Sequence, residues 1–317
     1  MWKGLYKAFK KWKSGKEKLL ALLKEEAVDL VHLNSVGLSN SAEALMEVDF
    51  PFIWHVREHG PNRKGYRFKR ISSRVARAAH VIFLSRAERD SWIGNAKNGT
   101  VVHNFVDIEK FDNTKYGAIT RNKFGINEKT KVVLYVGGSK AHKGVIELLG
   151  TLGQLKRSYG DDFVCLMPDS EVKNPKQPTR IEREIAKLIE NLGLERNCKL
   201  LPFNPDIVDL FAACDVLVFP ATKPHFARPV IEASAMGKPV IAFDLKAVDE
   251  LIKNEETGYL VPVRDRNILK DKIEFIFKNP DVAARMGIAG KKFALEKFEQ
   301  RKQMDKILAL YKKALQV

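Results

Sequence analysis

Short apolar runs bounded by polar or turn-forming residues alternate along the chain with longer stretches whose apolar residues recur every third or fourth position. The runs are Val28–Leu33, Phe50–Arg57, His80–Ser85 and Val101–Asp107, then Lys131–Val136, Phe163–Met167, Cys198–Leu201, Cys214–Pro220 and Pro239–Phe243. Their length and their content of branched and aromatic residues predict strands. Helical spacing marks Arg70–Ala79, Val145–Tyr159, Arg180–Leu192 and Asp206–Ala213. Strand and helix in regular alternation predict parallel sheets covered by helices. The polar, lysine-rich passage from Ile108 to Lys131, with Asn113, Gly117 and Gly125, interrupts the alternation, so a domain boundary is expected near Asp107. At the other end, Phe293–Gln316 reads as helix, with Met304, Ile307, Leu308 and Tyr311 along one side.

A chain of 317 residues, 45% hydrophobic and 30% charged, is long enough for two ordinary soluble domains. The net charge of +16 changes the picture, because it calls for nucleic acid, an anionic membrane surface or anionic substrates. Between Met1 and Lys24 stand Lys3, Lys7, Lys10, Lys11, Lys13, Lys16, Lys18 and Lys24 against Glu17 alone, while Trp2, Leu5, Phe9 and Trp12 recur at helical spacing. Such a stripe suits a helix lying on an anionic leaflet through residues 1–24. The competing reading docks Trp2, Phe9, Leu19, Leu20 and Leu23 on the chain's own body. No uninterrupted apolar segment is long enough to span a bilayer, and lysines interrupt the N-terminus too often for a signal peptide. Cys165, Cys198 and Cys214 are far apart and suggest neither a disulfide framework nor a zinc site. A cytoplasmic location is expected, with a peripheral place on the inner face of the membrane. The aromatics fall mostly in strands, so no nucleic-acid partner is expected.

The stretch from Cys214 to Phe243 reads strand, loop, helix, strand: Pro229 suits a first helical position, Gly237 the exit, and Pro239 opens the next strand. In an open α/β sheet this puts free N–H groups of a helix start at the carboxyl edge of the strands, where an anion is welcome, with Glu232 one turn in. Val136–Gly144 also runs from strand to helix. Gly137, Gly138 and Gly144 allow close approach of main chain to a phosphate and Lys143 supplies countercharge, although the spacing matches neither a Walker nor a dinucleotide pattern. An ordinary turn with a surface lysine stays open for this segment. His55, Arg57 and Glu58 close a strand, at the edge where α/β proteins bind ligands. No Asp-x-Asp pair occurs, so no metal is expected.

Phe226–Ala233, followed by Gly237–Ile241 and by Thr257–Pro262, resembles the donor-binding half of glycosyltransferase family 4. The resemblance implies a GT-B fold, with two Rossmann-like parallel-sheet domains facing a cleft: an abbreviated N-terminal domain over 1–107, a nucleotide-sugar-binding domain over 108–298, and a closing helix over 299–317 returning toward the first. It implies donor contacts from Gly137, Gly138, Lys140, Lys143, Gly144, His225, Arg228, Pro229, Val230 and Glu232, with Lys143 on the diphosphate and Glu232 on the ribose. His55 looks like the histidine that family members place near the transferring carbon, Arg57 and Glu58 like acceptor or phosphate contacts, and Ser85, Asn104 and Asp107 like cleft and hinge residues. The chain departs from the pattern at several positions. Gly138 stands where an arginine is usual, leaving Lys140 or Arg228 to substitute; Pro224, between Lys223 and His225, stands where the first of two glutamates is usual. Lys246 and Ala247 replace a glycine pair before Glu250, and Phe105 replaces a hinge glycine. The family's opening strand and glycine-rich turn, which help hold the acceptor, are replaced by the basic helix.

What the resemblance implies is metal-independent, retaining transfer of a hexosyl group from a UDP- or GDP-linked sugar, without a cofactor. The expected acceptor is lipid-linked or a growing polysaccharide of the cell envelope. The alternative is a non-catalytic nucleotide-sugar-binding or scaffold protein of the same fold.

Overall fold

The computed structural model describes residues 15–61, 65–93, 99–116, 119–204 and 207–316. Trp2, Leu5, Phe9 and Trp12 therefore lie outside the described residues. The chain divides into two compact units, one running to Asn104 and taking up the end of the chain again from Arg301, the other spanning Phe105–Gln300.

The first unit is built on four parallel strands in sequential order, β1 (Val31–Leu33), β2 (Phe52–Val56), β3 (Val81–Phe83) and β4 (Gly99–Val101). Alternation along β2 assigns its side chains to opposite faces. Phe52, Trp54 and Val56 join Leu33, Val81, Phe83, Leu45 and Val75 under helices α2 (Ser39–Glu47) and α3 (Tyr66–Arg77). Helix α1, over 15–25, adds Leu23 to this face, with Leu19 and Leu20 packed against it. These three leucines thus dock on the chain's own body. Ile53, on the other face with Ile82 and Val102, packs against Ile307, Leu310, Tyr311 and Ala314 of the last helix. The apolar stripe of that helix differs from the sequence reading: Leu308 is 49% exposed, and Leu310 takes the inward place.

The second unit carries six parallel strands in the order β10-β9-β8-β5-β6-β7, namely Gly258–Val261, Val240–Phe243, Val216–Phe219, Lys131–Leu134, Phe163–Pro168 and Cys198–Leu201. The chain winds outward from β5 to β7 and then returns to β8 to wind the other way. The crevice of such a doubly wound sheet opens between β5 and β8, outside their carboxyl ends. Helix α5 (Ile119–Asn122) precedes β5, and α6 (Val145–Tyr159) follows it and contributes Val145, Leu148, Leu149 and Leu152 to a core shared with Val133, Cys165, Val218 and Ile241. Helices α7 (Arg180–Asn191) and α8 (Val208–Ala213) connect the next strands, and α9 (Arg228–Ala235) follows β8. Helix α10 (Arg266–Lys278) is anchored by Asp265, whose carboxylate accepts from the N–H groups of Asn267 and Ile268.

The continuous helix expected over Phe293–Gln316 is broken. Helix α11 (Pro280–Lys297) stops at Phe298, and α12 (Gln300–Leu315) begins two residues later. Two contacts from distant sequence cause the break. The Phe298 ring is fully buried edge-on to Phe226 and Phe293, and the Phe298 main-chain carbonyl accepts from the Val106 N–H at 3.0 Å in place of a helical partner.

Candidate functional site

At the carboxyl end of β5 the chain turns through Gly137 and Gly138. Gly138 has φ of +60°, and a Cβ there would lie 3.0 Å from both the carbonyl oxygen and a carboxylate oxygen of Asp169. The usual arginine position therefore has neither the backbone conformation nor the space for a side chain. Under the turn lies Tyr135, which is 1% exposed and donates from its hydroxyl to the Gly138 carbonyl at 3.2 Å. Gly144 closes the loop at φ +82°, where a Cβ would come within 1.7 Å of the Pro220 carbonyl oxygen. That proximity joins the loop after β5 to the loop after β8. The Thr222 N–H donates to the His142 carbonyl at 3.0 Å, stitching the same two loops a second time.

Between those stitches Lys143 meets His225, with Nζ 2.6 Å from Nε2. His225 Nδ1 lies 2.8 Å from the Lys223 carbonyl, which can only accept, so Nδ1 carries the proton and Nε2 presents its lone pair to the lysine. Burial, and then the charge of Lys143, push the His225 imidazole down to about 4. It is neutral at physiological pH. Burial, with Lys140 adding to it, also lowers the Lys143 ammonium from its ordinary value. Lys140 and Arg228 are exposed, and neither makes an ion pair among the described residues.

Helix α9 begins at Arg228 with Pro229 in its first turn, and no side chain caps its N–H groups. Its first turn leaves positive partial charge directed off the end of the helix. Glu232, one turn on, is half-buried and its carboxylate receives no hydrogen bond from any described residue. Burial raises its pKa, with Arg228 and Lys110 opposing the rise. Val230 is fully buried and fixes the helix to the core. Lys110 belongs to the polar passage after the first unit, which the sequence marks only as a boundary.

The strand ends of the first unit are organised differently. Glu58, just past β2, accepts from the Ser35 hydroxyl at 2.5 Å, from the Val36 N–H at 2.9 Å and from the Arg57 N–H at 3.1 Å. Arg57 donates to Asn34 at 3.3 Å and to Asn104 at 3.0 Å. Trp54 and Trp92 brace the same turn, donating to the Ser35 and Glu58 carbonyls at 2.9 and 2.6 Å. Ser85 is buried and caps α4 (Arg86–Ile93), accepting from the Glu88 N–H at 3.0 Å. Asp107, in the second unit, accepts from the N–H groups of Glu109 and Lys110, each at 3.1 Å.

His55 is the exception in this network. It points to the face covered by α12, 5.5 Å from the His32 ring, while His32 meets the Tyr311 hydroxyl at 2.6 Å. Its Nε2 is buried without a hydrogen-bond partner, and burial followed by the charge of Arg57 pushes the imidazole down to about 3. Sequence reasoning had no signal for His32 or Tyr311, since each is an ordinary member of a strand or helix pattern.

Two departures in the donor half have distinct outcomes. At Ala247, where a glycine is usual, the backbone keeps a left-handed φ of 75° with the methyl group fully buried. Pro224 presents no hydrogen-bonding side chain at all.

The family model described as glycosyl transferases group 1 matches residues 118–293, and the model described as glycosyltransferase family 4 matches residues 3–110. The chain is 23% identical over 215 residues to N-acetyl-alpha-D-glucosaminyl L-malate synthase of Bacillus anthracis, covering 68% of this chain and 54% of that protein. It is 24% identical over 246 residues to alpha-D-kanosaminyltransferase of Streptomyces kanamyceticus, covering 75% of this chain and 61% of that protein. The chain thus spans about half to three-fifths of these relatives' lengths. Among solved structures, that of Anabaena HepE in complex with UDP superimposes with a TM-score of 0.83 at 22% identity, over 94% of this chain and 82% of that chain.

Proposed function

The chain belongs to the glycosyl transferases group 1 family, and from that premise we propose that it transfers a hexosyl group from a nucleotide-sugar donor. Its two parallel-sheet units have the GT-B fold. On this reading the acceptor is lipid-linked or a growing polysaccharide, and transfer proceeds with retention and without a metal. One observation carries the proposal: the loops after β5 and β8 and the uncapped start of α9 converge at the sheet's crevice, with Lys143 among them. Positive charge and a helix N-terminus there suit a departing nucleoside diphosphate, the part of the reaction that most needs electrostatic stabilisation. Glu232, a carboxylate with vacant acceptor capacity one turn inside, suits the hydroxyls of a ribose. That HepE was crystallised with UDP supports the same donor class. His55, with a buried imidazole nitrogen awaiting a partner, is assigned to the reacting sugar, and Arg57 and Glu58 to the acceptor side.

The test is thermal unfolding with UDP and GDP, followed by transfer or hydrolysis of the radiolabelled nucleotide sugar. A rise in Tm together with release of the labelled sugar supports the transferase. Binding without turnover supports the nucleotide-sugar-binding alternative, which the loss of side chains at Pro224 and Gly138 favours. No rise with either nucleotide rejects both. We also propose that residues 1–24 meet an anionic membrane surface from the cytoplasmic side. Flotation with anionic liposomes that is unchanged after deletion of residues 1–18 would overturn this.

A further inference from the structure

The two loops that meet at the crevice, 136–144 and 220–228, contain no aspartate, glutamate, asparagine or glutamine. They do contain Lys140, Lys143, Lys223 and Arg228, together with His142 and His225. Neutral sugars are held by groups that accept as well as donate, because each hydroxyl offers a proton. Carboxylates and carboxamides do this best. Here neither loop carries a carboxylate or a carboxamide. The hydroxyls of Ser139 and Thr222 donate to the carbonyls of Ser170 and His142, each at 3.4 Å, and the His225 Nε2 lone pair faces Lys143. Asp169, beside the glycine turn, is held by Lys173 at 3.0 Å. These two loops therefore bring several cations and no anion of their own to the rim.

The cations exceed what a diphosphate needs. Lys143 and the start of α9 serve its negative charge, and Arg228 shares its helix face with Glu232. Lys140 and Lys223 remain, exposed and without an ion pair among the described residues. They come from the two stitched loops: Lys223 follows Thr222, whose N–H bonds the His142 carbonyl at 3.0 Å, and the Lys140 carbonyl accepts from the Lys143 N–H at 2.9 Å, while both lysines lower the His142 pKa. Lys223 and Pro224 are also the residues between Thr222, bonded to the phosphate loop, and His225, bonded to Lys143. This segment therefore adjoins Lys143, the residue assigned above to the phosphate. A rim of exposed cations whose loops carry no carboxylate of their own favours a ligand that brings an extra negative charge.

Building on the donor-site reading above, we propose that the transferred sugar is a uronic acid, whose carboxylate is received by Lys223 and Lys140 beside Pro224. Pro224 then has a selective role: a carboxylate side chain at that position would repel the ligand's own. No change in the transfer chemistry is needed, because the sugar carboxylate is a binding group and the bond broken remains that from the anomeric carbon to the phosphate oxygen.

The test is calorimetric titration of the full chain with UDP, GDP and two matched pairs, UDP-glucose with UDP-glucuronate and GDP-mannose with GDP-mannuronate. The expected result is that, for the nucleotide that binds, the uronate binds at least about tenfold more tightly than its hexose, as one added charge-assisted contact gives. That preference ratio falls about tenfold in Lys223→Ala and inverts in Pro224→Glu, two variants at exposed or half-exposed loop positions that give independent readings. A hexose that binds as tightly as its uronate, or a ratio unmoved by both substitutions, overturns the acidic-sugar proposal while leaving the donor site standing. Absence of binding by both UDP and GDP overturns the donor-site reading, and this proposal with it.

Discussion

Glu58 and Glu232 each stand near the carboxyl edge of a parallel sheet, and their surroundings are opposite. Three donors converge on the Glu58 carboxylate, from Ser35, Val36 and Arg57, while Glu232 is half-buried with no hydrogen-bond donor among the described residues. The same contrast extends to their neighbours. In the first unit Arg57 is tied to two asparagines; in the second, Lys140 and Arg228 make no close ion pair among the described residues. A polar group whose bonding capacity is filled by its own chain is holding that chain in shape. One left desolvated and unpaired carries a cost in the free protein that only a ligand relieves. The difference separates a part of the molecule finished by folding from a part finished by binding.

The largest expected effect is on the binding side. Lys143→Ala removes the cation nearest the crevice, and loss of a charge-assisted hydrogen bond to phosphate should weaken nucleotide binding about 100-fold, measured by calorimetry. Next comes the folding side. Glu58→Ala strands three donors and should lower the unfolding free energy by about 2–3 kcal/mol in denaturant titration. Glu232→Gln sharpens the comparison, because it should do the reverse in the absence of ligand. The free protein should gain up to about 1 kcal/mol at neutral pH, while nucleotide affinity falls about tenfold. A loss of stability in Glu232→Gln comparable with that of Glu58→Ala would erase the distinction.

The pH dependence gives a smaller effect with a defined sign. The folded-state pKa of Glu232 is raised above its ordinary 4.5, so this group's stabilising contribution is complete below 4.5 and is lost as pH rises through the folded value. The histidines act oppositely. His55 is pushed down to about 3 and His225 to about 4, so the unfolded chain takes up protons below the ordinary 6.5 that the folded chain refuses. Their contribution is present above 6.5 and is lost as pH falls toward 4. Tm should therefore decline between pH 6.5 and 4, and less steeply in His55→Gln. An unchanged slope in that variant would mean that the imidazole is better hydrated than its buried position indicates.

The parallel sheets were legible in the sequence because buried strands of an α/β protein read as short apolar runs, and the runs Phe50–Arg57, His80–Ser85, Lys131–Val136 and Pro239–Phe243 each contain an observed strand. Contacts from remote sequence were not legible. Nothing local distinguishes Phe298 from the helical residues beside it; the helix stops where Phe298 packs on Phe226 and bonds the Val106 N–H. Leu308 and Leu310 are equally apolar, and the sheet face beneath α12 alone decides which one turns inward. Within the candidate site, Lys143 and Glu232 stood out through resemblance to known phrases, and Gly138 and Gly144 through the backbone they allow. The pairing of Lys143 with His225 did not, because it joins loops after different strands. For the same reason sequence could mark Glu58 and Glu232 alike as candidate ligands, although their partners differ completely once folded.

The most direct measurement is a crystal structure of the chain with whichever of UDP and GDP stabilises it. The diphosphate oxygens are expected within hydrogen-bond reach of Lys143 Nζ and of the main-chain N–H groups at the start of α9, with the ribose on Glu232. A nucleotide bound elsewhere on the second unit, with Lys143 still directed only at His225 and Glu232 untouched, would contradict it.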